Sequence, residues 1–478
     1  MTAELLTYRS AAGRWVLLAT VLGSGVAMLD ATVVNIALPA IGREFGGGLD
    51  GLQWTINGYT LTLAAFILLG GSLGDRYGRR RLFVVGVVWF AAASLLCGIA
   101  PNLTTLVVAR ALQGVGGALL TPGSLAIIQA SFRPGDRARA IGAWSGLGGI
   151  AGAIGPFLGG WILEVSTWRL VFLINVPLAA AVVWVSLKHV PESMDARAPK
   201  HLDVPGAVLC AVGLAGLTYG LIAWPDRGFT DPVVLGTLAA GVVGLVAFVL
   251  VEKRSPMPMM PLEVFSSRQF SAANVVTFVV YGALGGLFFL LVVALQVVAG
   301  FSPLLAGTAL LPVTVILLLL SARMGALAVR IGPKIPMTLG PIVSAAGLVL
   351  LTRIGVETSY WLDVLPGVVV FGLGLSLLVA PLTTTVLAAV EDRHAGMASG
   401  VNNAVARAAG LLAVAGLPLV VGITNEVYAD RVAFGEAFDR AVWVCAVLLL
   451  VGAAVSWFGI SSMRAEELKD TGPQQTNA

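Results

Sequence analysis

The chain has 478 residues, of which 58% are hydrophobic and only 11% charged, whereas a soluble domain carries about a quarter of its residues as charges. Apolar surface on that scale cannot be hidden in water, and a net charge of +4 is too small to mark a nucleic-acid-binding protein. The bilayer is the expected solvent, because runs of roughly 20 apolar residues, each able to cross about 30 Å of hydrocarbon, recur along the whole length.

In chain order these runs predict spans near residues 15–37, 52–73, 82–100, 104–130, 137–163, 169–188, 205–224, 232–251, 269–297, 303–322, 336–354, 362–388, 397–422 and 441–461. Fourteen spans put both termini on one side. Basic residues gather after the even-numbered spans: Arg76, Arg79, Arg80 and Arg81 after the second, Arg133, Arg137 and Arg139 after the fourth, and Lys188, Lys253, Arg254, Arg323, Arg330 and Lys334 after later ones. Acids such as Glu44, Asp50, Asp226, Asp231, Glu357, Asp363, Glu426, Asp430, Glu436 and Asp439 are read on the opposite side. The basic side is therefore cytoplasmic, with both termini on it. The first apolar run is too long for a signal-peptide core, so it is expected to stay as an anchor. An Ala-, Gly- and Val-rich composition with few lysines suits a bacterium and places the chain in its inner (cell) membrane. Cys97, Cys210 and Cys445 all fall inside apolar runs and are read as small hydrophobes.

The stretch from Gly71 to Arg80 (GSLGDRYGRR) returns weakly from Gly325 to Lys334 (GALAVRIGPK), matching at Gly71 with Gly325, Arg76 with Arg330 and Gly78 with Gly332, while Val329 stands where Asp75 did. Such repeats are how transporter halves are built. The expected organisation is a six-helix bundle over 1–190, a linker over 191–268 carrying two extra spans, a second six-helix bundle over 269–461, and a cytoplasmic tail over 462–478.

Asp30 is the one carboxylate read deep within a span, and Arg110 is an arginine at similar depth. Asp30 lies seven residues before the expected outer end of span 1 and Arg110 six residues after that of span 4, so at about 1.5 Å per residue both sit roughly 10 Å below the outer surface. Burial works against a charged carboxylate and a nearby positive charge works for it, so a site that opens to either side can take up or release a proton. A purely structural ion pair is the alternative. Arg407 lies ten residues into span 13; it either snorkels along its stem or faces a cavity. With Arg110 and Arg407 against Asp30 alone, neutral or anionic lipophilic substrates are favoured over strong cations. No phosphate-cradling Gly-x-x-x-x-Gly-Lys-Ser/Thr string occurs, so no ATP-driven step is expected, and the dispersed histidines and cysteines support neither a metal nor a thiol enzyme.

Five segments in order carry a resemblance: Leu29 to Pro39 (LDATVVNIALP), Gly71 to Arg80, Arg110 to Gly117 (RALQGVGG), Gly148 to Gly160 (GGIAGAIGPFLGG) and Trp168 to Pro177 (WRLVFLINVP). Together they make the chain similar to the fourteen-span drug:proton antiporter family of the major facilitator superfamily, over nearly its whole length. The resemblance implies an all-α membrane protein of major facilitator fold with 14 transmembrane helices. It implies proton coupling by Asp30 and Arg110, and a conformational switch in Gly71, Asp75, Arg76, Gly78, Arg79 and Arg80. Asp75 would meet the start of the helix near 397 in one state of the cycle and release it in the other, a favourable contact of about 0.3 to 1 kcal/mol. It further implies an antiporter helix built on Gly148, Gly152, Gly155, Pro156, Gly159 and Gly160, a block associated with export. Small residues at that spacing also let helix backbones approach, and Pro156 permits a bend. Substrate-contacting candidates among the polar and aromatic span residues are Asn35, Trp54, Asn57, Tyr59, Gln113, Asn274, Tyr281, Asn403 and Arg407. The expected function is proton-driven export of small lipophilic drugs or antibiotics, by a monomer without a cofactor, the proton gradient supplying the energy. A proton-coupled lipid or metabolite transporter of the same fold, or a non-transporting sensor, is the alternative.

Overall fold

The computed structural model describes residues 5–195, 202–255, 258–390 and 395–462. The expected tail over 462–478 thus lies outside the described residues beyond residue 462. With no water in the hydrocarbon to satisfy backbone groups, a spanning segment must bond to itself, and the described residues form helices with a single isolated bridge, Leu6 to Phe132. Fourteen helices among them are long and apolar enough to cross a membrane: α1 Ala11–Phe45, α2 Leu49–Tyr77, α3 Arg79–Gly98, α4 Leu103–Ser131, α5 Pro134–Val165, α6 Arg169–His189, α7 Val204–Arg227, α8 Pro232–Arg254, α9 Arg268–Val297, α10 Pro303–Ile331, α11 Lys334–Arg353, α12 Tyr360–Ala388, α13 Gly396–Val421 and α14 Arg431–Gly459.

Several helices outrun the apolar windows that announce them, because caps rather than hydropathy set their ends. Helix α1 begins after Ser10, whose hydroxyl accepts the Gly13 N–H, and stops at Gly46 with φ of 63°. Helix α14 begins at Arg431 because the Asp430 carboxylate accepts the N–H groups of Val432 and Ala433. Glu436 and Asp439, read as loop acids from the sequence, are therefore helical.

The chain divides into two compact units, Met1–Gly216 with Ala239–Met259 and Leu217–Leu238 with Met260–Ala478. The divisions fall inside α7 and α8. In the first unit α1 packs on α5 and α6, α4 on α2 and α3, and α3 on α6; in the second α9 packs on α13 and α14, α12 on α10 and α11, and α11 on α14. Each helix of the second set takes the partners of its counterpart in the first, so the repeat written in two short loops extends to the packing of twelve helices.

The loops themselves share a conformation. Gly78 and Gly332 both end a helix with positive φ, 111° and 84°, where a β-carbon would be strained. At Gly78 it would also stand 2.8 Å from the Glu192 carboxylate.

Candidate functional site

In the first unit Asp30 and Arg110 meet in a buried layer. Arg110 Nη1 donates to Asp30 Oδ2 at 2.6 Å, with side-chain exposures of 1% and 0%. Two amides complete the acid's shell, Gln113 donating to its Oδ1 at 2.8 Å and Asn175 at 2.9 Å. The same amides hold Ser94, whose hydroxyl accepts from Gln113 at 3.1 Å and from Asn175 at 2.9 Å and donates to the Phe172 carbonyl at 3.0 Å. Arg110 spends its other donors on Gln113 Oε1, 2.7 Å, and the Thr55 carbonyl, 3.1 Å, and its guanidinium lies over the Tyr59 ring at 4.4 Å. Helices α1, α2, α3, α4 and α6 thus converge on one carboxylate, beside an apolar cluster that includes Leu29, Val33, Trp168 and Phe172.

The fifth sequence segment supports this layer from outside it. Trp168 and Arg169 both donate to Glu44 near the end of α1, at 2.6 and 2.5 Å, which fixes α6 against α1. Its helix is interrupted at Ile174, between Arg169–Leu173 and Asn175–His189, and Asn175 opens the second part.

Across the turn between α2 and α3, Asp75 in the last turn of α2 pairs with Arg79, the first residue of α3, at 2.7 Å. The segment following α6 is laid across the loop: Glu192 accepts the backbone N–H groups of Arg80 and Arg81 at 3.0 and 3.2 Å, Arg80 Nη1 donates to the Val190 carbonyl at 3.1 Å, the Arg79 N–H to that of Ser193 at 2.9 Å, and the Asp195 N–H to that of Asp75 at 2.9 Å. Arg76 lies over the neighbouring Tyr77 ring, 5.0 Å, and Gly71 passes Pro122 with room for a methyl group at 3.7 Å. Glu192 was not singled out by the sequence. It is an acid 112 residues from its partner Arg80, and only the fold brings them together.

The glycines of α5 divide by position. A β-carbon at Gly155 would strike the Thr32 hydroxyl, and one at Gly159 would lie 2.9 Å from Val33 Cγ1 and 3.2 Å from the Val33 carbonyl. Here α5 touches the backbone of α1 within a turn of Asp30. A β-carbon at Gly148 would lie 3.4 Å from Met28 Sδ, an ordinary contact, and one at Gly152 would meet open space. Pro156 lies inside α5, half-buried, and Gly160 is buried.

A family model described as Major Facilitator Superfamily matches residues 20–414. The chain belongs to the major facilitator superfamily. This facilitator is a multi-pass membrane transporter and not an enzyme. It is 38% identical over 389 residues to the multidrug resistance protein Stp of Mycobacterium tuberculosis, covering 81% of this chain and 72% of that protein. It is 35% identical over 471 residues to the puromycin resistance protein pur8 of Streptomyces alboniger, covering 96% and 93%, and 36% identical over 422 residues to the tetracenomycin C resistance and export protein of Streptomyces glaucescens, covering 87% and 77%. Among solved structures, the peptide transporter POT in complex with sulfate superposes with a TM-score of 0.68 at 17% identity, covering 97% of this chain and 99% of that one. A bacterial homolog of the human lysosomal transporter Spinster does so at 0.64 and 18%, covering 96% and 98%. These two share the fold.

The facilitator distributes the remaining candidate residues unevenly. Gln113 and Tyr59 are buried in the Asp30–Arg110 layer rather than free to meet a ligand. Asn35 turns its amide back to the Ala31 carbonyl, 3.2 Å, and Trp54 is half-buried. Asn57 is fully buried with neither side-chain atom bonded to protein, an arrangement that costs about 1 to 3 kcal/mol unless something polar reaches it. In the second unit Tyr281 and Asn403 line a cavity of about 110 Å³ between α9, α12 and α13, with Thr383, Ser399 and Asn402. Asn274 stands outside that lining but accepts from Asn402 at 3.2 Å. Arg407 follows one helical turn after Asn403 and lies within electrostatic range of Tyr281. Asn402, which lines the cavity and donates to Asn274, is the link between the two.

Proposed function

We propose that this facilitator is a proton-driven antiporter that exports small lipophilic drugs or antibiotics by alternating access, with Asp30 as its proton carrier. The observation that carries the reading is Asp30 itself: a fully buried carboxylate held by one arginine and two amides. Three relatives at 35 to 38% identity bear names of multidrug, puromycin and tetracenomycin C resistance, which supports export.

In its ionised form Asp30 offsets the charge of Arg110. A proton on Asp30 removes the anionic half of the ion pair and leaves a buried guanidinium uncompensated, a strongly unfavourable state in a closed layer. The layer must then loosen and admit water or another acceptor. Because α1 rests on α5 at Gly155 and Gly159, a shift of α1 is felt directly by α5, and a contact without β-carbons lets the two helices slide. Asp75, its loop clasped by the segment after α6, latches one state of the cycle. The proton gradient supplies the energy and no cofactor is needed. The protein works as a monomer in the bacterial inner membrane with both termini cytoplasmic. Its substrates are neutral or anionic rather than strongly cationic, since Arg407 adds positive charge beside the cavity at Tyr281 and Asn403.

The reading is tested by reconstituting the protein in liposomes with a pH-sensitive dye inside, imposing a proton gradient and adding lipophilic antibiotics one at a time. Antibiotic-dependent proton flux is expected. Ligand binding without flux for any compound would instead favour a sensor.

A further inference from the structure

Apart from the Asp30–Arg110 layer, the first unit carries a basic pocket. The segment from Leu5 to Ser10 is laid over the turn between α4 and α5. The Leu6 N–H donates to the Ser131 carbonyl at 2.8 Å and the Arg133 N–H to the Leu6 carbonyl at 3.1 Å, Arg133 Nε donates to the Leu5 carbonyl at 3.1 Å, and the Tyr8 N–H to Asp136 Oδ2 at 3.0 Å. Pinned in this way, the segment sets Arg9 across from Arg139, which stacks over the Tyr8 ring at 4.5 Å, while Arg14 comes in from the first turn of α1. Tyr8, Arg9, Arg14, Arg139 and Leu17 line a cavity of about 430 Å³.

Three like charges around one cavity repel each other unless an anion lies between them. None of the three pairs with a carboxylate among the described residues, and Asp136 directs an oxygen at the Tyr8 backbone. The pocket also lies at a membrane boundary. Arg9 precedes the start of α1 at Ala11, and the apolar run begins immediately after Arg14, with Leu17 one turn further and buried against the protein. Guanidinium groups beside the aliphatic Leu17 and the start of an apolar span, with a tyrosine among them, match a phosphate joined to acyl chains better than a free ion.

We propose that this pocket binds the phosphate headgroup of an anionic phospholipid, on the side of the membrane that carries the basic loops. The lipid tethers the N-terminal segment to the start of α5, and Arg9, Arg14 and Arg139 are its phosphate ligands. Each arginine near an anionic surface contributes roughly a fivefold factor in affinity.

The test is native mass spectrometry of the full-length protein released from nanodiscs of mixed phosphatidylglycerol and phosphatidylcholine, with thermal unfolding in parallel. Wild type is expected to retain one phosphatidylglycerol and no phosphatidylcholine. The triple variant Arg9→Gln, Arg14→Gln, Arg139→Gln should retain it more than about tenfold less, with unfolding in phosphatidylcholine alone unchanged, and Arg254→Gln, outside the pocket, should retain it fully. Should the triple variant not fold, Arg14→Gln alone, at an exposed helix position, is expected to lose about fivefold. Equal retention by wild type and the folded variants would overturn the proposal. So would stabilisation of the detergent-solubilised protein by inorganic phosphate as large as that by phosphatidylglycerol, which would make the pocket a site for the free anion.

Discussion

Asp30 on α1 and Arg110 on α4 form an ion pair of 2.6 Å that is closed to solvent on both sides, with every visible bond of the acid made to groups from α4 or α6. Breaking such a pair by removing one partner costs about 3 to 5 kcal/mol, because the other charge stays buried and unpaired. Arg110→Ala is therefore expected to lower stability by about that amount, and the double variant Asp30→Asn with Arg110→Gln to recover much of it, since two neutral amides can bond to one another and to Ser94. Thermal unfolding of the single and double variants in detergent measures the difference.

Asn175 bridges Asp30 and Ser94 with one amide nitrogen. Asn175→Leu removes two bonds to the buried network and is expected to cost about 1 to 3 kcal/mol and to reduce gradient-driven transport, whereas Asn175→Gln should retain part of both. An Asn175→Leu protein with wild-type stability and rate would mean that Arg110 and Gln113 suffice to hold the acid.

The Asp30–Arg110 layer was legible in the sequence because depth along a helix follows from residue count. Rotation about the helix axis does not, and so depth alone does not separate Gln113 and Tyr59, which face the ion pair, from residues that face a cavity. Asn175 lies in the segment from Trp168 to Pro177, but its partner on α1 depends on how α6 packs. Glu192 lay in a loop with no local signal, and the docking of 190–195 on the switch loop is a long-range contact. The fourteen spans followed from apolar runs, while their ends did not, because Ser10, Gly46 and Asp430 set them by capping. The match of Gly78 with Gly332, by contrast, was read from spacing and reappears as the same positive-φ turn.

Gly78→Ala combines a strained backbone with a β-carbon 2.8 Å from Glu192. A loss of about 1 to 2 kcal/mol is expected, with release of the segment after α6 seen as faster hydrogen exchange at Ser193 to Asp195. Glu192→Gln should release the same segment with little backbone strain, which separates the clasp from the turn.

On α5 the substitutions should sort by what each β-carbon meets. Gly155→Val and Gly159→Val drive side chains into Thr32 and Val33 and are expected to cost about 1 to 3 kcal/mol as overpacking and to abolish transport. Gly149→Ala, with nothing within 4 Å, should fold with unchanged stability. Transport assays and unfolding curves on the three variants check the order.

The central claim is that Asp30 carries the proton that drives export. The most direct measurement compares wild type and Asp30→Asn proteoliposomes in two modes with the same antibiotic: accumulation driven by an imposed pH gradient, and exchange of labelled for unlabelled antibiotic with no gradient. Asp30→Asn is expected to exchange substrate while failing to accumulate it, translocation surviving the loss of coupling. Accumulation by Asp30→Asn at the wild-type level would contradict the claim and move the proton to another group.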